Sequence, residues 1–220
     1  MMIDETKLTM QVFNQMFAAE YCEYDLVGGK VTGTTDRVIY LSSDLILGIY
    51  DALYYETGEA WRLIFNNCGY LWGKWEIGRL KKELKIRIQQ EIEQLSVKDF
   101  CNLIESYFSK QGWGKLSISL TDAEQYGIIR VNLKNGLFDA NLSQLVTGSV
   151  NYMITGLLRA FFENISQNTL GCIETSWQHS GDQHNCDLLI SGRARIEALQ
   201  EQLNNSSVDI EDALGRLRVM

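Results

Sequence analysis

The sequence predicts an α+β domain in which an antiparallel sheet of about four to five strands packs on helices. Three observations carry this. Apolar–polar alternation occurs as two pairs of short runs, each pair around a polar turn, which is the pattern of a β-hairpin. Long runs with apolar residues at helical spacing separate the pairs, and helices must cover a sheet made of hairpins. Proline is absent from all 220 residues, where average usage of about 5% predicts about eleven. That argues against a linker-rich or multi-domain chain.

The elements follow in order. Val12, Phe13, Met16 and Phe17 mark a short amphipathic helix, and Gly28-Gly29 ends that segment. Arg37-Val-Ile-Tyr-Leu41 reads as a strand. Ser42-Ser43-Asp44 offers caps for a helix whose stripe is Leu45, Ile49, Leu53 and Tyr54. Gly58 ends it, and a longer helix is expected from Glu59 to about Gln94, kinked at Gly69, Gly73 or Gly78. Ser96 caps a helix from Val97 to Lys110. Leu116, Ile118 and Leu120 alternate with Lys115, Ser117 and Ser119, and Ile128–Leu133 returns the chain as a hairpin. Leu142–Asn164 reads as one apolar helix with Gly148 and Gly156 on a shared face, where another element can approach closely. Leu170–Gln178 and Cys186–Ser191 form the last hairpin around His179–Asn185. A charged helical tail starts at Arg193, with a break at Asn204-Asn205.

Composition narrows the function classes. The formal charge is −8, a poor match for nucleic acid, whose phosphates need clustered Lys and Arg. One basic stretch, Lys74 to Arg87, holds six Lys or Arg against two Glu. It reads as a solvated helix face, with a docking patch for an acidic partner as the rival. Cys22, Cys68, Cys101, Cys172 and Cys186 are odd in number and widely spaced. Together with a start that lacks a signal-peptide pattern, they point to reduced thiols and a cytoplasmic setting. No run approaches the roughly 18 apolar residues of a membrane span, so association with a membrane would be peripheral.

Catalytic signatures are missing: no dinucleotide or phosphate loop, no nucleophile elbow, no paired-histidine zinc motif. The densest polar cluster is the last hairpin, which holds His179, His184 and Cys186. Imidazole and thiolate suit zinc or haem iron, whereas the plainer reading is a polar turn closed by Gly181-Asp182. Cys186 as a nucleophile would need a base and a lowered pKa; a small core residue is the expectation. Trp61, Tyr70, Trp72 and Trp75 form an aromatic stripe. Stripes of this kind are usually core; the alternative is a ring-lined ligand tunnel.

The run Gly156-Leu-Leu, then Cys172-Ile-Glu-Thr-Ser-Trp-Gln-His-Ser-Gly-Asp182, then Asn185-Cys-Asp-Leu-Leu-Ile190 resembles the 4-vinyl reductase domain family. Arg37-Val-Ile-Tyr-Leu41 and Cys68-Gly-Tyr-Leu-Trp-Gly73 resemble the start of the aromatic-sensing domains of that superfamily. The likeness spans about Arg37 to Ser191. It implies a fold shared with TRAPP-complex subunits, an apolar pocket, a homodimer, and a carrier or sensor role. Known settings are aromatic-compound sensing and bacteriochlorophyll synthesis, which implies a tetrapyrrole or photosystem-assembly context. The family's sensors hold zinc with three cysteines and a glutamate. Glu174 matches that glutamate. Trp177 stands at one cysteine position, Cys186 is displaced by one residue, and the helix cysteine falls near Asn151 or Tyr152. Cys172 is two residues from Glu174 and so shares its strand face.

The expected division is therefore residues 1–35 as a helical extension, 36–192 as the domain, and 193–220 as a helical tail. The expected function is binding of a small hydrophobic or aromatic ligand, a tetrapyrrole or photosynthetic pigment intermediate among them. Trp61, Tyr70, Trp72, Trp75, Tyr152 and Trp177 are the expected lining, with Glu174, His179, His184 and Cys186 as metal candidates. A dimeric scaffold is the second reading. A vinyl-group reductase is the third, since no nicotinamide or flavin motif is present.

Overall fold

A computed structural model describes residues 10–18, 22–33, 37–39, 41–180, 183–203 and 206–219, with backbone alone for 10, 18, 177–180, 183 and 184. Nine α-helices and seven strands lie within them. Helix α1 (Met10–Ala18) precedes a three-stranded antiparallel sheet of β1 (Glu23–Asp25), β2 (Lys30–Thr32) and β3 (Arg37–Val38). Helices α2 (Ser43–Thr57), α3 (Trp61–Ile88) and α4 (Val97–Gln111) follow. Next come β4 (Lys115–Ser119), α5 (Ala123–Tyr126), β5 (Ile129–Lys134), α6 (Leu137–Leu142) and α7 (Tyr152–Ser166). The chain finishes with β6 (Leu170–Ser180), β7 (Gln183–Gly192), α8 (Arg193–Leu203) and α9 (Ile210–Arg218).

The second sheet runs β4–β5–β7–β6, antiparallel throughout. The α+β architecture, a four-stranded antiparallel sheet covered by helices, agrees with the sequence expectation. Strand alternation divides the burial. Val131, Leu133, Cys186, Leu188 and Ile190 face the main core with α3, α4 and α7. Leu189 and Ile173 face the other way, against Ile196, Leu199, Leu214 and Leu217 of α8 and α9. The sheet is thus sandwiched, and the C-terminal helices form its second cover.

Local signals explain the element ends. The Ser96 hydroxyl accepts from the Asp99 amide at 3.1 Å and caps α4. Gly112, with φ +74°, closes it in the left-handed conformation.

Three expectations need correction. Helix α2 buries Ile46 and Tyr50, while Leu45, Ile49 and Tyr54 are exposed; Tyr50 is drawn inward by edge-on packing against Trp61 at 5.1 Å. The strand at Arg37 pairs only through Arg37 and Val38. The run from Leu142 is not one helix: α6 ends there, and α7 starts after Asn151. Gly148 has φ +111°, a loop conformation in which it shares no helix face with Gly156. The expected break at Asn204-Asn205 lies outside the described residues.

The helix expected to reach Gln94 with a glycine kink also differs: α3 ends at Ile88, where Gln89 turns left-handed, and it runs through its glycines without interruption. Gly69 and Gly73 meet α7 instead. A Cβ on Gly69 would collide with the carbonyl oxygen of Met153, and one on Gly73 would come within 2.7 Å of the Ala160 Cβ. Gly156 returns the contact, against the backbone of Asn66. Three glycines therefore set the close α3–α7 crossing. Gly156 is used up inside the fold and offers no external docking face.

Candidate functional site

A cavity of about 490 Å³ lies between the α3–α7 pair, β6 and α8. That volume falls in the range of small-molecule sites, roughly 300–1,000 Å³. The α3–α7 crossing brings Asn66 and Thr155 together on its wall. The Asn66 amide donates to the Thr155 hydroxyl at 2.9 Å and to the Tyr152 carbonyl at 3.4 Å. Leu63, Ile173, Ile196 and Leu203 add apolar surface. Arg62, Arg159 and Arg193 border the same space. Cys172 and Glu174 both line it, as their shared strand face requires.

The six expected ring residues do not assemble around one space. Tyr152 lines the cavity. Trp61 is 1% exposed and packs edge-on against Phe65 at 5.4 Å and Tyr152 at 5.3 Å. Trp72 is half-buried, 4.8 Å from Trp113, and its indole donates to Glu76 at 3.0 Å. The Tyr70 hydroxyl donates to Glu163 at 2.7 Å. Trp75 is 74% exposed. The side chain of Trp177 lies outside the described residues, as do those of His179 and His184; in the backbone, His179 pairs with His184 across the hairpin.

Beside the cavity floor lies a buried acidic cluster. Asp139, Glu174 and Cys186 bring their ligand atoms within 4.8 Å of one another. Glu174 Oε2 accepts from the Ser149 hydroxyl and from the amides of Val150 (3.3 Å) and Asn151 (3.2 Å). The Asn151 side-chain nitrogen sits at the centre, 3.0 and 3.1 Å from the Asp139 oxygens, 3.0 Å from Glu174 Oε1 and 3.4 Å from Cys186 Sγ. Burial pushes the Asp139 carboxyl up to about 6. Burial, and then the neighbouring Asp139, raise Glu174. Burial, then Glu174 and Asp139, raise the Cys186 thiol well above its ordinary value. Burial therefore disfavours three negative charges at once in this cluster when it holds no cation.

The donors also fit a divalent cation. Three acidic ligands converge, and Asn151 Oδ1 is buried without a partner, so a half-turn of that amide supplies a fourth ligand atom. Zinc accepts carboxylate and thiolate ligands in tetrahedral sites. An ion there would tie α6, the start of α7 and the last hairpin together. Glu174 and Cys186 of this set are legible in the hairpin motif. Asp139 is not, because it comes from another helix; its one signal is an acid inside the short apolar run Leu137-Phe-Asp-Ala-Asn-Leu142. Asn151 has a clearer signal, since it falls near the position where the family that the hairpin resembles carries a helix cysteine.

No family model and no curated protein matches the chain. Among solved structures, the phenol-responsive sensory domain of the transcription activator PoxR, with phenol, overlays with a TM-score of 0.64. That overlay covers 94% of this chain and 100% of the other at 15% identity. A structure from work on H-NOX activation overlays with a TM-score of 0.43 at 11% identity, over 83% of this chain and 86% of that one. The first likeness establishes the fold. Among the described residues no helix is long and apolar enough to cross a membrane.

Proposed function

We propose that the chain is a small-molecule-binding domain of the sensor or carrier kind, with its ligand in the cavity between α3, α7, β6 and α8. The cavity itself carries the reading: about 490 Å³ bounded by both helical layers and the edge strand of the sheet. A ligand there touches α8 on one side and Glu174 of the acidic cluster on the other, so occupancy is felt across the sandwich. The fold shared with a phenol-responsive sensory domain supports the same reading. The finer assignments, 4-vinyl reductase family membership and a tetrapyrrole or pigment ligand, rest on the hairpin resemblance. An absorption spectrum of the protein from its native cell tests them: a Soret or bilin band supports a pigment, and a colourless protein removes it.

The general test is thermal. Gln200 is exposed at the cavity rim, so Gln200→Trp narrows the mouth with little folding cost. Screening aromatic and aliphatic small molecules by thermal shift should raise the Tm of the wild type and leave the variant unmoved. Equal shifts in both would place binding elsewhere.

A second reading, a homodimeric scaffold, is favoured by one observation. Leu71, Trp75 and Ile86 are all more than half exposed and lie on one face of α3, an apolar stripe of the kind that marks interfaces. Sedimentation of the wild type and of Trp75→Glu tests it: a dimer that the substitution dissolves supports the scaffold, and a monomeric wild type removes it.

A further inference from the structure

The cavity reading leaves the chemistry of the ligand open, and the charged groups around the cavity narrow it. Arg62 comes from α3, Arg159 from α7 and Arg193 from α8. Arg159 lies over the Tyr70 ring, 3.9 Å from its centroid. Among the described residues its one hydrogen-bond contact is a long 3.5 Å approach to Asn66 Oδ1, and its Nε is buried without a partner. Among the described residues no carboxylate lies within 4 Å of its guanidinium. Arg62 Nε is likewise buried and unpartnered, and the partner of its terminal nitrogen is Glu59, whose side chain is 66% exposed. Arg193 meets Glu163 only at 3.6 Å.

Of the three acids on the same walls, Glu59 pairs with Arg62 at 2.9 Å, and none pairs with Arg159. Glu174 is engaged by Ser149, Val150 and Asn151. Glu197 is exposed at the rim. A partly buried guanidinium without a counter-ion is costly, and its planar fork matches a carboxylate in two parallel hydrogen bonds. On the same lining, Tyr152, Ile173 and Leu203 offer apolar surface.

We infer that the ligand is an organic acid: a carboxylate held by Arg159 and Arg62, with an aromatic or aliphatic body against Tyr152, Ile173 and Leu203. The inference rests on the reading of this cavity as the ligand site. It departs from the purely apolar pocket that the resemblance implies.

The test is calorimetric titration of the full chain with 3-phenylpropionate and with its neutral counterpart 3-phenylpropan-1-ol. The acid should bind about tenfold more tightly than the alcohol, one charge-assisted contact being worth that ratio. Arg159→Met should abolish this preference by weakening acid binding more than alcohol binding, and Arg159→Lys should restore part of it. Arg62→Met, checked with the others by far-ultraviolet circular dichroism, gives a second reading should Arg159→Met fail to fold. Equal binding of acid and alcohol, or a preference that survives both methionine variants, overturns the inference and leaves the cavity reading in place. If neither compound binds and the thermal screen is also blank, the cavity reading falls and takes the inference with it.

Discussion

At the residue scale, the acidic cluster sets a pH dependence whose sign is fixed. Asp139 titrates at about 6 in the folded protein, above its ordinary 3.8. The folded state therefore binds this proton more tightly than the unfolded chain does. The contribution of this group to stability is greatest below about pH 4, falls as pH rises through about 6, and levels off above it. Ionising the group in the fold costs on the order of 3 kcal/mol. Glu174, also raised, acts in the same direction. Urea midpoints of the metal-free protein should fall between pH 4 and 7, and Asp139→Asn should flatten that slope; an unchanged slope contradicts the account. A bound divalent cation would reverse the trend, because its ligands must lose their protons. Zinc at pH 7 would then raise the midpoint, and Cys186→Ser would weaken the gain. Legibility at this scale followed sequence distance. Glu174 and Cys186 were readable because one hairpin carries both. Asn151 was marked only by its place near the helix cysteine of the resembled family, and Asp139 reaches the cluster through the packing of α6, which no local pattern encodes.

At the element scale, the α3–α7 crossing is the main structural device of the site. Gly69 and Gly156 each meet backbone of the other helix, so Gly69→Ala or Gly156→Ala forces the helices apart. Each should cost about 1–3 kcal/mol, as overpacking usually does, and should weaken ligand binding by moving Asn66 away from Thr155. Gly78 sits in the same helix with nothing within 4 Å of its added Cβ. Gly78→Ala should stabilise by roughly 0.5–1 kcal/mol through helix propensity alone. Chemical denaturation of the three variants checks both signs. The sequence showed these glycines, but glycine in a helix reads equally as kink or as close contact, and only the neighbouring helix decides. The same ambiguity misplaced the α2 stripe. Leu45, Ile49 and Tyr54 are as apolar as Ile46 and Tyr50, and Trp61 selects between the two faces by packing on Tyr50.

At the scale of the whole molecule, the C-terminal helices complete both the sheet and the cavity. Helix α8 lends Ile196, Gln200 and Leu203 to the cavity, and α9 is anchored by an ion network. Asp122 accepts from Arg218 at 2.6 Å and from Arg130 at 2.6 Å, and Arg130 also reaches Glu211 at 2.7 Å. Asp122→Ala leaves two guanidinium groups without this partner and should cost about 2 kcal/mol. Native-state hydrogen exchange should show α9 opening first in that variant, ahead of β5 and β7; simultaneous exchange of all three would contradict an independent C-terminal cover. The helical character of this tail was plain from the sequence. Its role as the second layer was not, because the apolar face of α8 is narrow and gains meaning only opposite Leu189 and Ile173.

The most direct test of the ligand site is a two-dimensional amide spectrum of the full chain titrated with 3-phenylpropionate. The account predicts shifts concentrated at Arg62–Asn66, Tyr152–Arg159, Cys172–Glu174 and the inner face of α8. Shifts confined to the outer face of α3 around Leu71 and Trp75, or none up to saturation of the solution, would contradict it.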